Sequence, residues 1–191
     1  MLNPQRATNT GALVTADGHG QLYEASRRGN LFVAYALVTA PVIWSTAAGT
    51  GGPLLWNSTR DKMLSILKVG IGTSVVTTVA GALGLTGATG QTAAPTSTTA
   101  IDASGNLSIG GALHGAKAYR VGTPTIAGSF FMPFASVHTG ALTVDNQGMI
   151  WVDVAGAVTV MPDSWVSIAG SATLSTLVAQ MCLIWEEITL T

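Results

Sequence analysis

Hydrophobic residues in this chain fall in short runs cut by glycine, proline and small polar residues. The clearest stretch is 150–188, where apolar runs at 150–154, 157–161, 165–169 and 177–185 are separated by Gly156, Pro162-Asp163 and Gly170-Ser171. Runs this short, rich in Val, Ile and Trp and bounded by turn residues, predict strands rather than helices. The last run is apolar on both alternating faces, with Met181, Leu183 and Trp185 on one and Cys182 and Ile184 on the other. A strand without a polar face is a central strand covered on both sides. Glu186 and Glu187 are expected to end it, at solvent or at a neighbour.

The same pattern predicts strands at 31–38, 42–45, 54–56, 63–69 running into 70–78, 107–109 and 116–121. Residues 80–85 read as strand or loop. A hairpin is expected from 142–144 to 149–154 across Asp145-Asn146-Gln147-Gly148. Residues 46–53 form a loop and Arg60-Asp61-Lys62 an exposed turn. The Thr-rich segment 87–99 is expected to be one long loop inside a single domain. Residues 1–30 show little periodicity and read as an arm that orders only where something holds it. Within the arm, 21–28 can form one or two helical turns. Many short strands without a confident helix predict an all-β fold. The expected architecture is a single jelly-roll-like β-sandwich over 31–191 behind an extended N-terminal arm, 1–30. No repeat of fixed period points to a propeller or solenoid.

Composition changes the picture. Hydrophobic residues make up 48% of the 191 residues and charged residues 9%, against about 25% charged in ordinary soluble domains. Such a chain either enters a membrane or has much of its surface covered by other protein. The uncharged stretches 29–59 and 69–101 are broken at strand spacing and hold no run of ~18 strongly apolar residues, so no membrane partner is expected. The start lacks the apolar core of a signal peptide. A net charge of −1 supplies no basic field for nucleic acid. Cys182, the one cysteine, excludes an internal disulfide and reads as a small core residue.

No catalytic constellation emerges. Glu186 and Glu187 are adjacent, so on a strand they point to opposite faces and cannot form an acid/base pair. His19, His114 and His138 show no metal-ligand spacing, and Gly49–Gly52 lacks the Lys-Ser/Thr of a phosphate loop. No G-x-S-x-G elbow is present. The chain is therefore expected not to be an enzyme and to use no cofactor or metal.

Tyr23-Glu24-Ala25-Ser26-Arg27-Arg28-Gly29-Asn30, the Pro162-Asp163-Ser164-Trp165-Val166 turn and the terminal Ile184-Trp185-Glu186-Glu187-Ile188 carry a resemblance. Over most of residues 21–188 the chain resembles the small β-rich virion structural proteins of tailed bacteriophages. The resemblance implies a particle component made in the host cytoplasm: a homotrimeric jelly roll, of the decoration or cement type, on the major capsid protein. A neck, baseplate or fibre-anchoring part shares these features, and a carbohydrate- or receptor-binding module is the alternative of another class. Candidate partner-binding residues are Tyr23, Arg27, Arg28, Trp44, Trp56, Phe130 and Phe131. Core or subunit packing is the competing reading for the aromatic cluster at 130–134, and a solvated pair for Arg27-Arg28.

Overall fold

The computed structural model describes residues 6–7, 13–14, 22–39, 52–75, 79–100, 115–137, 149–174 and 176–190. Expected strands at 42–45, 107–109 and 142–144 lie outside these residues, as do Trp44 and all three histidines.

The fold is all-β, with two antiparallel sheets packed face to face. Its elements are β1 (Arg6–Ala7), β2 (Leu13–Val14), α1 (Tyr23–Arg27), β3 (Leu31–Thr39), β4 (Leu54–Asn57), β5 (Lys62–Val75), β6 (Gly81–Thr89), β7 (Thr96–Ala100), β8 (Lys117–Thr123), β9 (Ser129–Val137), β10 (Ile150–Val160), β11 (Ser164–Gly170) and β12 (Val178–Thr189). One sheet has four strands in the order β10-β5-β12-β3; the other has six, β7-β8-β4-β11-β6-β9. β1 and β2 form a separate pair. Most connections cross between sheets: β3 to β4, β4 to β5, β5 to β6, β9 to β10, β10 to β11 and β11 to β12 all change layer.

β12 is central, paired with β3 on one side and β5 on the other. Its inward residues Ala179, Met181, Leu183 and Trp185 are fully buried. Trp185 stacks on Phe32 of β3 with ring centroids 5.8 Å apart. Phe32, Ala34, Ala36, Leu64, Ile66, Val69 and Ile71 complete this inner face, against Leu55, Leu83, Leu85, Val166 and Ile168 of the six-stranded sheet. Burying a large aliphatic side chain stabilises by about 1.5–3 kcal/mol, so this interlayer holds the sandwich together.

Several expectations are corrected. Glu186 and Glu187 do not end β12, which runs on to Thr189; Glu187 faces inward and finds partners there. Gly156 does not separate two strands. β10 continues through it with a bulge between Asp153 and Val158, where Ala155 and Gly156 take positive φ of 49° and 78°. The Asp153 carboxylate accepts the Ala155 N–H at 3.0 Å, which offsets part of the cost of a left-handed alanine. The segment 87–99 is not one loop: β6 runs to Thr89 and β7 starts at Thr96. Small residues conceal the strand, because Gly84 and Gly87 pack directly under Phe130 and Phe131 of β9. β10 pairs with β5; the partner expected for it in a hairpin, 142–144, lies outside the described residues.

Two polar nodes fasten the connections, Asn57 at the layer crossings and Gln91 between two loops of the six-stranded sheet. Asn57, fully buried, donates from Nδ2 to the carbonyls of Lys62 (2.8 Å) and Val160 (2.9 Å). Its Oδ1 accepts from the N–H and hydroxyl of Thr59. Gln91, also buried, accepts at Oε1 from the N–H groups of Thr125 and Ile126 and donates from Nε2 to Ala93 O. Each is itself buried and has its amide satisfied by backbone groups of other segments.

Candidate functional site

The outward face of the four-stranded sheet is where this molecule breaks the usual pattern. A half-exposed sheet normally alternates apolar inward and polar outward. Here β3 does the reverse in size: small Ala34 and Ala36 face inward, while Tyr35 and Leu37 face outward, 49% and 39% exposed. The register places Tyr35 opposite Cys182, Cys182 opposite Gly70, and Gly70 opposite Trp151. These four residues form one row straight across the sheet.

Gly70 is what lets the row lie flat. A Cβ there would meet the Trp151 ring at 2.9 Å and the Met149 methyl at 2.8 Å, so both side chains rest on bare backbone. Met149 and Trp151 nevertheless remain 38% and 50% exposed. Cys182, in the middle, is only 5% exposed and carries a free thiol. Burial pushes that thiol up to about 11, so it is protonated at neutral pH. The expectation of a small buried cysteine holds, although the residue lies on the outer side of its strand.

Arg120 of β8 reaches the edge beside Leu37, donating to its carbonyl at 3.4 Å, and an ion pair lies at the other end of the face. Lys68 and Asp153 sit opposite each other on β5 and β10 as an exposed pair 4.0 Å apart. Together with Glu186, Leu22 and Ala25 they line a cleft of about 190 Å³ beside α1. Burial raises the Glu186 carboxyl above its ordinary value, against an opposing pull from the Arg28 guanidinium. α1 itself stops at Gly29, whose φ is 74°, with Asn30 N–H bonded to Ala25 O; this is the glycine-terminated helix end.

The residues named from sequence scatter. Tyr23, 42% exposed, and the exposed Arg27 and Arg28 lie on or just after α1. Trp56 is on the other sheet, half-buried, and donates its indole N–H to Gln91 O at 2.9 Å. Phe130 is half-buried over Gly84. Phe131 is 49% exposed and lines a second, apolar cleft of about 220 Å³ with Gly87, Val158, Val160 and Met161, between β10 and the ends of β6 and β11.

Tyr35, Leu37, Met149 and Trp151 were not among the candidates. Their signal was present as alternating large and small apolar residues at 34–38, but two apolar faces on one strand do not reveal which is left open. Among the described residues no group of three or more His, Cys, Asp or Glu could hold a metal ion, and no helix is long and apolar enough to cross a membrane. The fold and this face define an all-β sandwich that leaves large apolar side chains exposed on part of one sheet face. No protein family, curated protein or solved structure matches the chain.

Proposed function

We propose that the chain is a virion structural protein of a tailed bacteriophage: a homotrimeric jelly roll that decorates the head by binding the lattice of the major capsid protein. The observation that carries this reading is the exposure of Tyr35, Leu37, Met149 and Trp151 on one sheet face, where exposed Gln180, opposite Leu37, is the polar residue among them. Contiguous exposed apolar surface marks a protein contact, and aromatic anchors dominate such contacts. A chain with 9% charged residues has few ionic side chains to keep that surface wet. The flat sheet face suits a broad lattice contact better than a small ligand, which takes a concave site. A neck, baseplate or fibre-anchoring component would share these features and differ in copy number.

The test is co-sedimentation of the purified chain with undecorated phage heads. A Tyr35→Lys/Trp151→Lys double variant should lose binding by more than tenfold while keeping its native circular dichroism and its oligomeric mass. Unchanged binding by that variant would refute the assigned face. A wild-type chain with no affinity for heads or tails would refute the function. Quantifying copies per virion separates decoration, at hundreds, from a tail or neck part, at a few dozen or fewer.

A further inference from the structure

The outward face of the four-stranded sheet continues past the row of Tyr35, Cys182, Gly70 and Trp151. Residues two apart on a strand share a face, so the next row is Val33, Ile184, Lys68 and Asp153, in register across β3, β12, β5 and β10. Beyond it lies Glu186 of β12. α1 stands over this half: Leu22 and Ala25 form one wall of the cleft of about 190 Å³, and Lys68, Asp153 and Glu186 line the other. Exposure along β3 changes accordingly, from Leu31 at 2%, through half-buried Val33, to Tyr35 at 49%. One half of the face is covered and the other is open.

The cover fits poorly. α1 is five residues long, too short to keep a helical shape by itself, and it packs thinly on the strands. The cleft leaves space between helix and sheet, where a tight joint would interdigitate its side chains. Half-buried Glu186 lies beneath, and burial opposes the charged form of its carboxyl more than Arg28 favours it. The attachment is also placed for movement. Glu187 N–H donates to Asn30 O at 2.9 Å, so the fixed sheet begins at Asn30. Gly29, with a φ of 74°, stands between that clamp and α1. Swinging α1 away there exchanges the cap bond from Asn30 N–H to Ala25 O for water and hydrates Glu186.

We propose that α1 is a displaceable cover. It swings about Gly29 when the partner docks, and Val33 and Ile184 then join Tyr35, Leu37, Met149 and Trp151 in one contact. This rests on the reading of that face as the docking surface and adds its regulation. The closed form hides apolar surface from unspecific association, and the apparent affinity is set by the fraction of copies that are open.

Two full-length variants of opposite effect test it. Leu22→Ser loosens the seat; Ala25→Leu fills the cleft and holds α1 down. On undecorated heads, Leu22→Ser should bind roughly threefold or more tighter than wild type, and Ala25→Leu weaker by a similar factor. Leu22→Ala and Ala25→Met stand in where either first choice fails to fold. The amides of Ser26, Gly29 and Asn30, which are bonded within and at the end of α1, should exchange faster in the complex than in the free chain. Equal affinities, the reverse order, or α1 amides that become protected on binding would overturn the cover and leave α1 a fixed part of the surface. Failure of wild type to bind heads would count against the proposed function alone. An apolar fluorescent dye then still judges the cover: its binding should rise in Leu22→Ser and fall in Ala25→Leu, and no difference between them would overturn the inference.

Discussion

Glu187 gives the sharpest test of how the two sheets are held. Its carboxylate is 3% exposed. Oε1 accepts from the N–H groups of Gly115 at 2.7 Å and Ala116 at 3.0 Å, and Oε2 lies 2.8 Å from Lys62 Nζ. Residues 115–116 lead into β8 of the six-stranded sheet, so one side chain on β12 ties the layers together. Glu187→Ala would leave two N–H donors without an acceptor, one of them on fully buried Ala116. Each unsatisfied buried donor costs about 1–3 kcal/mol. The Lys62 contact adds little, because that side chain is 34% exposed and exposed pairs contribute ~0–1 kcal/mol. The sum is about 2–7 kcal/mol. With a urea slope of about 2 kcal/mol/M, the unfolding midpoint should fall by roughly 1–3.5 M, measured at one protein concentration because association also stabilises. Glu187→Gln, which keeps an acceptor oxygen, should lose about half as much, and Lys62→Met less than about 1 kcal/mol. A Glu187→Ala midpoint within ~0.3 M of wild type, or a larger loss in Lys62→Met, would refute the assignment of this tie to the backbone donors.

Three further outcomes follow from the structure. Gln91→Leu removes the acceptor for Thr125 and Ile126 N–H; it should cost about 1–3 kcal/mol and speed amide exchange at 125–128, and unchanged exchange there would contradict the role given to Gln91. Glu186, raised by burial, contributes stability when protonated that is lost as pH rises through its folded pKa; Glu186→Gln should therefore be slightly more stable than wild type at pH 7, by less than about 1 kcal/mol because the group is only half-buried, with the gain vanishing below the ordinary carboxyl range. A less stable variant at pH 7 would mean that the Arg28 attraction outweighs burial. Cys182, with its thiol pushed to about 11, should react with a disulfide reagent only slowly until denaturant is added, whereas rapid stoichiometric labelling of the native chain would show that the centre of the sheet face is open.

The amino-acid sequence determined the class of structure. Alternation, β-branched residues and turn residues at short intervals sufficed for the strands at 31–39, 54–57, 117–123 and 164–170, and two apolar faces sufficed to make β12 central. It also determined that apolar surface would be left over, because 9% charged residues cannot cover a molecule of this size. Only the tertiary structure decided which surface that is. Tyr35, Cys182, Gly70 and Trp151 are far apart along the chain and share a row only through the register of four strands. Likewise, two adjacent glutamates look alike in sequence, but alternation aims Glu187 at Gly115 and Ala116 and Glu186 at α1. Local pattern fixes how a segment folds; which sheet it joins, and at what offset, depends on burial summed over all partners, and single-strand periodicity does not carry that information.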